Sequence, residues 1–86
     1  MTMQDRIAGK LRQGLSPSAL EVLDESHQHA GHGGWREGGE THFRVRVAAA
    51  AFAGLSRVAQ HRLVNALLAQ ELAEGVHALA IETRAA

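Results

Sequence analysis

Met3, Ile7 and Leu11 recur at intervals of four, which sets them on one face of an amphipathic helix over residues 2–14. Thr2 with Asp5 three places on has the form of a capping box. Gly14 can supply the left-handed residue that ends the helix, and Pro17 lies just beyond. Residues 19–25, Ala-Leu-Glu-Val-Leu-Asp-Glu, read as a first strand of imperfect alternation. The cleanest strand is 42–49: Phe43, Val45, Val47 and Ala49 point one way, and His42, Arg44, Arg46 and Ala48 the other. One face is expected to be buried and the other wet. Phe52-Ala53-Gly54-Leu55 then makes a short connection, and Ser56 is the N-cap of a helix running to about Ala73. Its apolar arc of Leu63, Val64, Leu67, Leu68 and Leu72 is crossed by Glu71, and Gly75 closes it. Residues 76–83 form a last strand with His77, Leu79, Ile81 and Thr83 on one side.

The order helix, strand, strand, helix, strand predicts an α+β fold in which two helices cover one face of a three-stranded mixed sheet, a two-layer sandwich. The whole chain, residues 1–86, is read as a single domain. Residues 27–40 hold five of the nine glycines and are expected to be a flexible surface loop. The first two strands pair antiparallel around this loop. The second and third, joined through a long helix, pair parallel by a right-handed crossover. Parallel pairing starts the third strand at the sheet end where the second starts. That places His77 near His42 and within reach of His27, His29 and His32.

Composition narrows the chemistry. Nine basic side chains balance nine acidic ones, so a strongly electrostatic nucleic-acid binder or a polybasic membrane peptide is not expected. The chain has no cysteine, which excludes disulfides, thiol redox chemistry and an all-thiolate metal site. No apolar run reaches the length of a membrane span, and Met1 to Arg6 shows no signal-peptide pattern, so no membrane partner and a cytoplasmic location are expected. Six histidines then carry most of the soft-ligand chemistry. His27, His29 and His32 could be solvated side chains or an adventitious zinc or nickel site. His77 could be a hydrogen-bonded core residue, His42 a surface residue or loop anchor, His61 part of a solvated or partner-facing stripe, and Trp35 a local anchor or a partner contact.

Five ordered motifs resemble one family. They are Leu20-Glu21-Val22-Leu23-Asp24-Glu25-Ser26, Gly39-Glu40-Thr41-His42-Phe43-Arg44-Val45, Phe52-Ala53-Gly54-Leu55-Ser56-Arg57, Gln60-His61-Arg62-Leu63-Val64 and Gly75-Val76-His77-Ala78-Leu79-Ala80-Ile81. Together they look like the BolA-like family, over about residues 6 to 84. The resemblance implies an α-β-β-α-β fold similar to the type II KH domain. It also implies a heterodimeric partnership with monothiol glutaredoxins, in which a [2Fe–2S] cluster is shared. Glutaredoxin and glutathione supply thiolates, and the BolA-like protein supplies a loop ligand and a last-strand histidine. By position these match His29 and His77, which makes this chain similar to the histidine-type members. His27 and His32 flank the loop position, and His42 is a further candidate.

The resemblance and the residues agree on a reason. A chain without thiols cannot hold an iron–sulfur cluster alone, but it can add two imidazoles to an iron whose thiolates come from a partner. The expected function is therefore a cluster-transfer adaptor in iron–sulfur assembly or iron homeostasis, not an enzyme. The isolated chain should carry no cluster and be a monomer or weak dimer. The second helix and the 55–65 region, which carry mixed basic and apolar residues, are the surface expected to dock a glutaredoxin. The alternative is a DNA-binding transcriptional regulator, with Arg57, His61 and Arg62 facing phosphates and Arg44 and Arg46 on the open sheet face. Against it, Gly31-His32-Gly33-Gly34 fits a KH-type Gly-x-x-Gly pattern only between strands, and Phe52-Ala53-Gly54-Leu55 lacks it. Asp24, Glu25 and Glu40 lie near histidines, but no motif orders them into a hydrolase or lyase site.

An imidazole must be unprotonated to ligate, and its ordinary pKa is about 6.5. Cluster sharing is thus expected to weaken as pH falls through about 6. Cluster absorbance followed across that range checks this, and a flat response would count against imidazole ligation.

Overall fold

The computed structural model describes residues 1–26 and 41–86. The expected loop at 27–40, with His27, His29, His32, Trp35 and Glu40, lies outside the described residues. Helix α1 (Met3–Leu15) opens with the capping box: Thr2 Oγ1 accepts from the Asp5 N–H at 3.1 Å, and the Asp5 carboxylate accepts from the Thr2 N–H at 3.2 Å. It closes one residue later than expected. Ser16, at φ 45°, is the left-handed cap, not Gly14. The extra residue buries Leu15 beside Leu11 and Ile7. Gly14 has another role: a Cβ there would sit 2.6 Å from Leu67 Cδ2, so its bare backbone lets the two helices approach.

The sheet has the expected topology. Strands β1 (Ala19–Asp24), β2 (His42–Ala48) and β3 (Ala78–Arg84) lie in the order β1-β2-β3. β1 pairs antiparallel with β2, with Val22 opposite Val45; β2 pairs parallel with β3, with His42 opposite Ala78 and Val45 opposite Ile81. Strand bounds shift by one or two residues from those expected. The largest shift leaves Val76 and His77 ahead of β3 rather than inside it.

The predicted single helix over 56–73 is two helices. Ser56 Oγ caps α2 (Arg57–Leu67) by accepting from the Ala59 N–H at 3.1 Å. The chain then breaks at Leu68, at φ −105° and ψ 15°, and resumes as α3 (Ala69–Glu74). A 3-10 turn at Ala50–Phe52 precedes α2 and buries the Phe52 ring. The break at Leu68 keeps that side chain in the core and turns Glu71 toward α1. Gly75, at φ 145°, ends α3 as expected.

Ile7, Leu11, Leu15, Phe43, Val45, Val47, Val64 and Leu68 form one cluster between sheet and helices. Each large apolar side chain so buried contributes about 1.5–3 kcal/mol. The opposite sheet face is a charge lattice. Arg44 pairs with Glu25 and Glu82, at 3.0 and 2.9 Å, and Arg46 with Glu21 and Glu82, at 2.9 and 3.3 Å. The alternation on β2 is thus right for Arg44 and Arg46. The expectation of a wet face fails for His42 and Ala48, which are buried at 5% and 1% exposure.

Glu71 breaks the apolar arc for a structural reason. Its side chain is fully buried, and its carboxylate accepts from Arg6 at 3.0 Å and Lys10 at 3.2 Å; Arg6 also pairs with Glu74. Burial pushes this carboxyl up, but its own backbone N–H, the Lys10 ammonium and the Arg6 guanidinium outweigh that and hold it below the usual carboxylate range. A depressed carboxyl stabilises the fold above its unfolded pKa, and that contribution is lost as pH falls through the folded value. Glu71→Gln should therefore lower stability at pH 7 by about 1–3 kcal/mol. The deficit should shrink below about pH 4. Arg6→Ala/Lys10→Ala, which strands the buried carboxylate, should cost more than Glu71→Gln at neutral pH. Urea titrations at both pH values measure these differences.

Candidate metal centre

The rim where β2 and β3 begin is organised by Thr41. This residue, 1% exposed, sits immediately before β2. Its carbonyl accepts from the His77 N–H at 2.7 Å and the Ala78 N–H at 3.2 Å, which starts the parallel pairing. Its own N–H donates to Ser26 Oγ at 3.0 Å, and the His42 N–H donates to the same oxygen at 3.2 Å. Ser26 in turn is held by a 2.9 Å bond from its N–H to Asp24 Oδ1. The Glu25 N–H donates to the His42 carbonyl at 2.8 Å. Ser26 and Thr41, the described residues on either side of segment 27–40, are thus tied together at one point of the sheet rim.

Two histidines meet there. The Thr41 hydroxyl lies 2.8 Å from His42 Nδ1. The His42 and His77 rings have centroids 5.4 Å apart and planes inclined at 54°. His42 is buried, whereas His77 is exposed. Strand parity alone would put them on opposite sheet faces, because His77 continues the Leu79–Ile81 side and His42 the Arg44 side. His77 lies ahead of the strand, so the pleat does not dictate its direction. The reading of His77 as a core residue is overturned by its exposure, and that of His42 as wet by its burial.

Among the described residues, every buried side-chain nitrogen and oxygen has a partner, and no group of three or more His, Asp or Glu converges as a metal cage. The residues nonetheless suit a shared centre. One exposed imidazole is fixed through its backbone, a second lies beside it, and metal-binding imidazoles are typically oriented by a hydrogen bond at their other nitrogen. His27, His29 and His32 lie outside the described residues.

The alternative site is only partly assembled. Arg57 and His61, four apart on α2, line one groove with Ile81, Glu82 and Thr83 of β3. Arg62 is exposed, five residues after Arg57, and so turned about 140° around the helix from it. The Arg44 and Arg46 charges are matched by Glu21, Glu25 and Glu82. Sequence reasoning missed Ser26 and Thr41. Their signal was available: hydroxyl residues at both ends of a glycine-rich stretch often bond the backbone that leaves and re-enters a strand.

A profile of the family described as BolA-like protein matches residues 11–86. This chain belongs to the BolA-like family. It is 51% identical over 86 residues to a Sinorhizobium protein described as an uncharacterized protein in the cobS 5' region, covering 99% of this chain and 92% of that one. It is 53% identical over 78 residues to BolA-like protein 1 of Pongo abelii, covering 91% of this chain but only 54% of that protein. It is 48% identical over 81 residues to the DNA-binding transcriptional regulator BolA of Vibrio cholerae, covering 94% of this chain and 73% of that one. Its fold is similar to the BolA domain of SufE1 from Arabidopsis thaliana, with a TM-score of 0.89 at 46% identity, covering 99% of this chain and 93% of the other. The last three are named as a BolA-like protein, a regulator and a BolA domain rather than by a reaction. Among the described residues no helix is long and apolar enough to cross a membrane.

Proposed function

We propose that this BolA-like chain is an adaptor that binds a monothiol glutaredoxin and co-ligates a [2Fe–2S] cluster shared with that partner and glutathione. The observation that supports this is the exposed His77, anchored through its backbone to Thr41 at the rim where segment 27–40 leaves and returns. The cluster is cargo, and its iron would take an imidazole nitrogen where a partner lacks a fourth thiolate. The chain's own part is to hold His77 in place and to bring a second imidazole beside it. His29 is that second ligand. It lies three residues past Ser26, so covalent geometry keeps it within about 11 Å of that anchor.

Reconstitution with a monothiol glutaredoxin, glutathione, iron and sulfide, followed by visible circular dichroism, tests this. The His77→Ala and His29→Ala spectra should differ from wild type, and cluster retention should fall about tenfold or more. A His77→Ala spectrum identical to wild type would overturn the ligand assignment.

The name of the Vibrio cholerae relative favours a second reading, DNA binding. Among the described residues Arg57 and Arg62 form no ion pair, so α2, and not the charge-matched sheet, would supply phosphate contacts. Under this reading DNA affinity should fall steeply with salt, and Arg57→Ala should reduce that slope by about 1. Salt-series binding to a duplex measures it; affinity independent of salt would remove the reading.

A further inference from the structure

The sheet has two edge strands, β1 and β3, and they are finished differently. β1 lies against α1, and its outward Val22 carbonyl accepts from Gln4 Nε2 at 2.6 Å. β3 has no such cover. The Ala78 N–H donates to the Thr41 carbonyl at 3.2 Å, and the Arg84 carbonyl accepts from the Ala49 N–H at 3.1 Å. The even-numbered residues of β3 thus aim their backbone groups at β2. Backbone direction alternates along a strand, which aims those of Leu79, Ile81 and Thr83 outward. Among the described residues, no group bonds to these outward N–H and C=O groups. They form a row repeating about every 6.6 Å, the repeat of an extended peptide. An edge of this kind is a template for a further strand.

The charges beside the edge select what pairs with it. The Thr83 hydroxyl donates to Gln60 Oε1, and Gln60 Nε2 donates to the Phe52 and Leu55 carbonyls, which pins the start of α2 against the end of β3. Arg57 and His61 thereby line a groove with Ile81, Glu82 and Thr83. Arg84, at the end of β3, shares the parity of Glu82 and so belongs to the open sheet face. Glu82 is already matched by Arg44 and Arg46, whereas among the described residues Arg57 and Arg84 form no ion pair. We infer that β3 takes an extended acidic segment of a partner protein as a fourth strand. Main-chain bonds to Leu79, Ile81 and Thr83 set its register, and its carboxylates meet Arg57 and His61 on one side and Arg84 on the other. A second copy of this chain would bring the same cations to the seam, against like charge. A phosphodiester chain is anionic but carries no donor and acceptor at the strand repeat. The inference does not rest on cluster sharing, since Thr83 lies six residues beyond His77.

Titration of the full chain with a terminally blocked seven-residue peptide of alternating valine and glutamate, followed by amide NMR, tests it. The Leu79, Ile81 and Thr83 amides should shift, and their hydrogen exchange should slow. Arg57→Glu/Arg84→Glu should weaken binding at least about tenfold, as should lysine in place of each glutamate of the peptide. Both arginines are exposed, so this variant should keep the wild-type far-ultraviolet circular dichroism. The same peptide with every backbone nitrogen methylated should not bind, because it has no donors for the edge. Unshifted wild-type amides at these three positions, or equal binding of the methylated or lysine peptide, would overturn the proposal. So would protection of the three amides by dimerisation of the chain alone, which assigns the edge to a second copy. Displacement of the peptide by equimolar oligothymidylate would assign it to nucleic acid and overturn it equally. None of these results bears on the glutaredoxin reconstitution.

Discussion

The parallel pairing of β2 with β3 starts at the Thr41 carbonyl, and the candidate site depends on that start. Two N–H groups, of His77 and Ala78, converge on this oxygen. A parallel ladder has slanted bonds, and its register is set by where the first one forms. Here that bond also decides that residue 77 arrives at the rim beside residue 42. The Thr41 N–H and hydroxyl meanwhile bind Ser26 and His42. A fully buried, fully satisfied polar cluster of this kind is rigid, because a partner lost from it leaves a costly unpaired group.

The two layers divide the electrostatics in a way that bears on partners. On the helical side one carboxylate, Glu71, is buried and matched by Arg6 and Lys10. On the open sheet face two arginines interleave with three glutamates. Such exposed pairs add little to stability individually, but they cancel the field a phosphate backbone would need. Among the described residues the arginines outside these ion pairs are Arg12, Arg57, Arg62 and Arg84, and the two on α2, Arg57 and Arg62, diverge around that helix. The histidine rim is the more organised of the two candidate surfaces.

Membership in the BolA-like family and the fold of its relatives agree with the topology. This chain spans about half the length of BolA-like protein 1 of Pongo abelii. The length of each relative outside the matched domain differs between them.

Much of this was readable from periodicity. The 3.6-residue repeat of Ile7 and Leu11, the alternation of Phe43, Val45 and Val47, the Thr2 and Ser56 caps and the long connection between β2 and β3 sufficed for the elements, the mixed sheet and the meeting of His42 with His77. These are local rules, each acting over a few residues or following from chain connectivity. What they could not supply were the features that arise where distant segments touch. The break at Leu68, the burial of Glu71 under α1 and the close approach at Gly14 depend on how two helices share one sheet face. The burial of His42, the exposure of His77 and the linking role of Thr41 depend on where a strand begins. A side-chain alternation rule ends at that boundary, and backbone hydrogen bonds from another strand take over.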